Sequence, residues 1–198
     1  MSAPYRLVLA TRNPGKVEEL REQLAGLDVE VLTVEEFEDV PEVEEDQTTL
    51  AGNAKKKALA VHQATGHAAL ADDTGLEVYM LDMRPGVHSA RYAGDDADAA
   101  ANRTKLLAEL DGQDDRAARF STVLAFVEDG VVRLFTGTCE GAITEQERGS
   151  NGFGYDALFL PDGQEHTFAE MDAVTKNALS HRGKAVATFA GYLRAKLA

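Results

Sequence analysis

Apolar residues recur along the chain at two spacings, one typical of strands and the other typical of helices. Tyr5 to Ala10 is a short apolar run that predicts a strand, and the polar segment Thr11 to Gly15 ends it. Lys16 to Leu24 carries apolar residues at helical spacing. The chain is therefore expected to open with a strand, a polar loop and a helix.

The same alternation continues through the first half of the chain. Val29 to Val34 predicts a second strand, and Thr49 to Thr65 predicts an alanine-rich helix that ends at Gly66. Ala68 to Ala71 predicts a third strand that ends at Asp72. Strands that alternate with helices are typical of an α/β sheet with parallel pairs.

The pattern changes in the second half. Asp98 to Leu110 predicts a helix, after which Phe120 to Val127 and Val131 to Thr138 flank the short connection Glu128-Asp129-Gly130 and predict an antiparallel hairpin. The segment Val174 to Leu197 is predicted to be helical and to close the chain. We expect a mixed α/β sheet in one domain, residues 1–198, and two lobes with a cleft between them would fit the change of pattern.

Composition and charge narrow the class of protein. The 198 residues are 44% hydrophobic and 27% charged, as in an ordinary globular domain. The formal net charge of −14 disfavours a nucleic-acid polymer or an anionic membrane as partner. We expect no signal peptide or membrane anchor, and the single cysteine, Cys139, is expected to be buried in a cytoplasmic protein.

Two segments carry side chains suited to phosphate and metal chemistry. Thr11 to Lys16 joins a strand to a helix, where backbone N–H groups and the positive helix end can bind an anion, although a plain turn is the alternative. Asp72 and Asp73 end a predicted strand, so their carboxylates could hold Mg²⁺ and take a proton from water. The alternative for these two aspartates is a capped turn with one carboxylate in solvent.

Two further segments could contact a planar ligand. Gly152 to Ala157 matches G-x-G-x-x-A but precedes a strand, so a dinucleotide fold is excluded and a loop with Phe153, Tyr155 and Asp156 remains. Such a loop could bind a base, or could simply pack its rings in a core hairpin. Lys176, His181 and Arg182 are clustered, and Ser180 is a plausible break between two helices there.

One stretch departs strongly from the average charge. Acidic residues crowd residues 35–46 with no compensating base nearby in sequence, which predicts a solvated loop.

Five segments together resemble, in chain order, the inosine triphosphate pyrophosphatase family, also called the Ham1-like family. The resemblance runs from about Leu7 to about Leu193 and rests on Leu9–Lys16, Ala71–Glu77, Pro85–Gly94, Gly152–Asp156 and Ser180–Lys184. It implies the ITPase-like, Maf/Ham1 type of fold: a mixed α/β sheet in two lobes around a central nucleotide-binding cleft, usually as a homodimer. It also implies hydrolysis of ITP, dITP and XTP to the monophosphate and pyrophosphate with Mg²⁺, for which Mn²⁺ could substitute.

The resemblance assigns roles to individual positions. Asp73 matches the proton acceptor and metal ligand, Lys16 the cation that stabilises charge on the phosphates, and Glu44 is the best match for a second metal ligand, with Glu45 its neighbour. The remaining substrate contacts match Thr11, Arg12, Asn13, Pro14, Gly15, Thr74, Phe153, Gly154, Tyr155, Asp156, Lys176, His181 and Arg182. The acidic loop departs from the family pattern, with Asp46-Gln47 in place of a threonine and a glycine and Gly52 in place of an acid.

We expect an enzyme that acts on purine nucleoside triphosphates. Phe153 would stack on the base, and polar groups around His181 and Arg182 would accept a 6-oxo purine and reject a 6-amino purine. Two alternatives stay open: a sensor that binds a nucleotide without turnover, and a pyrophosphatase for other modified nucleotides.

Overall fold

The structure is a computed structural model that describes residues 4–96 and 98–198. The described chain contains seven strands and five α-helices. In chain order they are β1 (Tyr5–Leu9), α1 (Pro14–Leu24), β2 (Val29–Thr33), α2 (Leu50–Thr65), β3 (Ala68–Val78), β4 (Arg84–Pro85), α3 (Ala99–Glu109), β5 (Ala117–Glu128), β6 (Val131–Ile143), β7 (Phe159–Pro161), α4 (Ala173–Leu179) and α5 (His181–Leu197).

The strands form a mixed sheet, as the sequence predicts. Their order is β2-β1-β3-β5-β6-β7, and β4 pairs with β3. β1 runs parallel to both β2 and β3, with Leu9 opposite Thr33 on one side and Leu70 on the other. β4 is antiparallel to β3, and β7 is antiparallel to β6. The α/β prediction is therefore confirmed.

Strand β3 corrects one prediction. Its ladder with β1 ends at Leu70, but the strand continues through Asp72 and Asp73 to Val78, where it pairs with β4. The prediction that the strand ends at Asp72 is wrong, because both carboxylates are buried against cationic side chains and do not need solvent. Asp72 and Asp73 thus lie in mid-strand, just beyond the carboxyl end of β1.

The other predicted elements differ from the structure mainly at their ends. The hairpin strands are longer than predicted, and the connection between β5 and β6 shortens from three residues to Asp129-Gly130. The break near Ser180 is confirmed, because this residue has extended backbone between α4 and α5.

The chain divides into two compact units. The first takes in the chain up to Asp73, Thr122–Gly137 and Arg182–Ala198. Because side chains alternate along a strand, this unit has two apolar clusters. Leu7 and Leu9 pack with Phe126 and Phe189 in one, and Val8 packs with residues of α2 in the other.

The second unit consists of Thr74–Ser121 and Thr138–His181. Its single apolar cluster includes Leu76, Leu106, Phe120 and Phe168. Cys139 is buried in this cluster, as predicted.

None of the helices in the described ranges has the length and hydropathy that crossing a bilayer would require.

Candidate active site

The loop between β1 and α1 has the geometry of an anion-binding site. Asn13 is the N-cap of α1, and its Oδ1 accepts a hydrogen bond from the Lys16 backbone N–H at 3.2 Å. Pro14 and Gly15 open the helix. Pro14 has no N–H group, and the Val17 N–H donates to the Asn13 carbonyl at 3.1 Å, so Gly15 supplies the first backbone donor of the helix. Thr11 Oγ1 accepts from the Asn13 N–H at 3.2 Å, which stabilises the loop before the helix. The loop therefore presents donors and a positive helix end at one place.

A buried ion network lies beside this loop. Asp72 is fully buried, forms an ion pair with Lys16, and accepts a hydrogen bond from Arg182 Nε at 2.9 Å. Arg182 also donates to Glu19 Oε2. Burial disfavours the charge of Asp72, but Arg182 and Lys16 outweigh it and hold the pKa of this carboxyl well below its usual range. Asp72 is thus an anion that positions two cations.

Asp73 has a different environment. Its Oδ1 accepts a hydrogen bond from Lys57 Nζ at 3.1 Å, and Lys57 also donates to Glu45 Oε1 at 2.5 Å. Asp73 Oδ2 is buried and has no hydrogen-bond partner among the described residues. Burial raises the pKa of Asp73, with a smaller contribution in the same direction from Glu45 and an opposing one from Lys57. A buried carboxylate oxygen without a partner indicates a position for a ligand.

These oxygen atoms are suited to Mg²⁺. No group of three or more His, Cys, Asp or Glu side chains within residues 4–96 and 98–198 is arranged to hold a metal. Mg²⁺ does not need such a group, because one or two carboxylates and substrate phosphates are enough to hold it. The free Oδ2 of Asp73 and the carboxylate of Glu45 are hard oxygen donors and fit this requirement.

The acidic loop is less isolated than its sequence predicts. Arg12 donates to the Val40 carbonyl at 3.2 Å, and Lys56 binds both the Glu44 carbonyl and the Asp46 carboxylate. The prediction of a solvated loop is confirmed, because all but one of its acidic residues are exposed. The bases that bind it come from other parts of the chain. The side chain of Glu44 is exposed. Of the two predicted glutamate ligands, Glu45 is the one that the structure brings to Asp73, through their shared lysine.

The second unit holds the other predicted contacts. Asp156 is buried, and its Oδ2 accepts hydrogen bonds from the Phe153 N–H and from Lys176 Nζ, each at 2.8 Å. The Lys176 ammonium lies 5.1 Å from the centre of the Phe153 ring. Gly152 has a φ of +73°, and a Cβ on it would collide with the Asp156 carboxylate. The loop is thus folded around one charged pair.

Two further bonds fix this loop. Tyr155 is buried, donates to the Ser89 carbonyl at 2.8 Å, and has its pKa raised by burial. The Gly154 carbonyl accepts from Arg103 Nη1 at 2.8 Å. Tyr155 therefore anchors the loop to the core, whereas the Phe153 side chain is only half-buried.

His181 and Arg182 are adjacent in sequence but lie in different units. His181 stacks on Phe120 with ring centres 4.4 Å apart, whereas Arg182 binds Asp72 and Glu19. Thr74, the residue after Asp73, is half-buried in β3.

Sequence reasoning missed three residues of these networks: Lys57, Glu19 and Phe120. Lys57 belongs to the run Lys55-Lys56-Lys57 in α2. That basic run was the available signal, since a run of lysines can neutralise an acidic loop next to it in space. Glu19 and Phe120 carry no comparable signal.

Comparisons with known proteins identify the family of the chain. The pattern of the Ham1 family matches residues 7–192. A protein from Desulforamulus reducens named dITP/XTP pyrophosphatase is 51% identical over 184 residues, covering 91% of this chain and 92% of that protein.

Solved structures agree as well. A HAM1 protein from Coxiella burnetii has a TM-score of 0.89 at 39% identity, with 96% of this chain and 98% of that chain covered. The Ham1 protein of Staphylococcus aureus has a TM-score of 0.87 at 34% identity, with 96% and 99% covered. The chain therefore belongs to the Ham1 family.

Proposed function

We propose that this protein hydrolyses the deaminated purine nucleoside triphosphates ITP, dITP and XTP to the monophosphate and pyrophosphate. The observation that carries the proposal is Asp73: a buried carboxylate with a raised pKa and one oxygen without a partner, beside an anion-binding loop. The name of the Desulforamulus relative, dITP/XTP pyrophosphatase, supports the substrate class. The whole chain, residues 1–198, is proposed to act as a single catalytic domain.

The phosphates are assigned to the loop between β1 and α1. The Gly15 N–H and the positive end of α1 bind phosphate oxygens, and Lys16 stabilises the negative charge that develops on them. Thr11, Arg12 and Asn13 shape the loop around these oxygens. Asp72 holds Lys16 and Arg182 in place, so that these cations are fixed before substrate arrives.

Asp73 and Glu45 would hold a Mg²⁺ ion, or Mn²⁺ in its place. When bound, such an ion neutralises phosphate charge and supports attack on phosphorus. Asp73 accepts a proton from the attacking water, for which its raised pKa is suited. The bond between the α- and β-phosphates breaks, and pyrophosphate leaves.

The base is assigned to the loop that carries Phe153. Phe153 stacks on the purine, and the Asp156–Lys176 pair fixes the loop that carries it. Polar groups of the loop and of His181 accept a 6-oxo purine. A 6-amino purine would leave buried polar groups unpaired, which discriminates by several powers of ten.

The test is pyrophosphate release across a panel of nucleoside triphosphates, with and without Mg²⁺. We expect turnover of ITP, dITP and XTP far above that of ATP and GTP, and no turnover without a divalent cation. Tight binding without turnover would instead indicate a sensor. Preferred turnover of another modified nucleotide would indicate the second alternative.

We also propose that the protein works in the cytoplasm as a homodimer on a small nucleotide, without a nucleic-acid polymer or membrane as partner. The net charge of −14 supports the exclusion of polyanions.

A further inference from the structure

Lys57 occupies a cage of three oxygen atoms. Its Nζ lies 2.5 Å from Glu45 Oε1, 2.8 Å from the Asp72 carbonyl and 3.1 Å from Asp73 Oδ1. Its side chain is only 13% exposed. Two of the three oxygen atoms belong to carboxylates, which supply the negative charge that a lysine ammonium pairs with. The ammonium is therefore a bound cation among hard oxygen donors.

The same two carboxylates are those assigned above to the metal. A divalent ion and an ammonium bound to the same carboxylates would repel each other at close range in a site of low dielectric constant. The backbone of Lys57 is fixed, because α2 is anchored by buried Ala54, Ala58 and Val61. The four-carbon stem of a lysine can nevertheless swing its ammonium away.

We propose that Lys57 is a built-in competitor of the divalent metal. In the absence of nucleotide its ammonium neutralises Glu45 and Asp73, and it must leave them before a metal binds. The protein then binds free metal weakly and takes it up with the triphosphate, whose negative charge offsets both cations. This inference rests on the proposed function for the identity of the metal ligands.

Lys56 provides a matched control. It is the neighbouring lysine on the same helix, but it binds the exposed Asp46 carboxylate and the Glu44 carbonyl instead of Asp73. Lys56→Gln and Lys57→Gln therefore remove the same charge from the same element. Only Lys57→Gln removes the cation from the proposed metal ligands.

The experiment measures Mn²⁺ binding to the nucleotide-free protein, from the electron paramagnetic resonance signal of free Mn²⁺. We expect Lys57→Gln and Lys57→Met to bind Mn²⁺ at least about tenfold more tightly than wild type, because the competing charge is gone. Lys56→Gln should change the affinity by less than about threefold, since its charge is screened by solvent. Lys57→Arg, which keeps the charge, should stay close to wild type.

Thermal unfolding provides the second measurement. Without Mn²⁺, both neutral Lys57 variants should have a lower melting temperature than wild type. Added Mn²⁺ should raise their melting temperature by more than it raises that of wild type. The Met variant keeps the apolar stem, so the test stands if Gln impairs folding.

Unchanged or weaker Mn²⁺ affinity in the neutral Lys57 variants would overturn the proposal. An equal increase of Mn²⁺ affinity in Lys56→Gln and Lys57→Gln would also overturn it. Because no turnover is measured, such a result leaves the nucleotide panel unaffected. Conversely, tighter Mn²⁺ binding in an enzyme that fails the panel would support the competition while removing the proposed function.

Discussion

At the scale of single residues, the two oxygen atoms of Asp73 differ. One is bound by Lys57, and the other is buried without a hydrogen-bond partner in the part of the chain that the structure describes. Leaving a buried acceptor unpaired costs stability, about 1–3 kcal/mol for a polar group of this kind. Such a cost is typical of groups that are held ready for a ligand or a proton.

Asp73→Asn should therefore separate activity from stability. We expect pyrophosphate release to fall about a thousandfold or more, because an amide neither accepts the proton nor carries the charge that a metal needs. The melting temperature should stay within a few degrees of wild type. The two are measured on the same preparation, and turnover near wild type would exclude the proposed role.

A pair of neighbouring glutamates tests the second metal ligand. Glu45→Gln should raise the Mg²⁺ concentration for half-maximal rate, because its carboxylate reaches the lysine that binds Asp73. Glu44→Gln should have little effect, because its side chain is exposed. Magnesium titrations of both variants with ITP decide the question. A larger shift for Glu44→Gln would favour the sequence-based choice of ligand.

At the scale of elements, the start of α2 holds the acidic loop in place. The Gln47 N–H donates to Asn53 Oδ1 at 3.0 Å, and a Cβ on Gly52 would lie 2.8 Å from Gln47 Cβ. Gly52 and Gln47 are two of the positions where the chain departs from the family pattern. A side chain at position 52 would therefore collide with the Gln47 side chain in this structure.

Gly52→Ala should destabilise the protein by about 1–3 kcal/mol, the usual cost of overpacking. Gln47→Gly should restore part of this loss, because it removes the atom that the new methyl group meets. Chemical denaturation of wild type, both single variants and the double variant gives the coupling free energy. Additive losses would show that the two positions are independent.

The last helix is tied to the first strand through one carboxylate. Glu128 Oε1 accepts a hydrogen bond from the Tyr5 hydroxyl at 2.6 Å, and its Oε2 pairs with Lys196 at 2.6 Å. Burial disfavours the charge of Glu128, but Lys196 and Tyr5 outweigh it and lower the pKa of the carboxyl below its ordinary value. The Glu128 carboxyl group therefore binds a proton less tightly in the folded state than in the unfolded state.

Glu128→Gln should cost about 1–2 kcal/mol at pH 7, as expected for hydrogen bonds to a charged group. Because the pKa of Glu128 is lower in the folded state, its ionised carboxylate stabilises the folded protein at pH values above the unfolded pKa of about 4.3. This contribution is lost as the pH falls through the pKa of the folded state. The difference from wild type should thus shrink between about pH 5 and pH 3. Glu30→Gln, at the exposed pair with Arg6, is the control that should change little. A gap that widens on acidification would contradict this account.

Local patterns predict these elements better than they predict the site. The strand, loop and helix around Thr11 to Lys16 follow from spacing and from the N-cap Asn13, which are local properties. Asp72 and Asp73 are also visible as a motif, but their different partners follow from strand alternation in a strand that continues beyond them. Lys57 is distant in sequence from both aspartates, and no spacing rule connects residues that meet only after folding.

At the scale of the whole molecule, net charge and local charge differ. The chain has a formal net charge of −14. In the ion networks, however, three cationic side chains pair with four carboxylates. The cations are Lys16, Lys57 and Arg182, and the carboxylates are those of Glu19, Glu45, Asp72 and Asp73. The site is thus close to neutral inside an acidic protein. A small anion that arrives with a divalent cation is acceptable there, whereas a polyanion meets the repulsive surface.

The proposed homodimer is the prediction at this scale. Sedimentation velocity at micromolar concentration should give a mass close to twice the 21.3 kDa of the chain. The same run at raised salt is the control, because an association driven by surface charge would weaken there. A monomer mass under both conditions would contradict the prediction.

The helix break at Ser180 has a consequence for insertions and deletions at the start of α5. Because α4 ends at Ser180, α5 begins at His181, which stacks on Phe120. The next residue, Arg182, binds Asp72. Each residue added to a helix turns everything after it by about 100° and advances it by about 1.5 Å. A single insertion or deletion between Ser180 and Arg182 would therefore change the position of Arg182 along and around the helix relative to His181. Homologues that keep both contacts are therefore expected to keep the length of this segment.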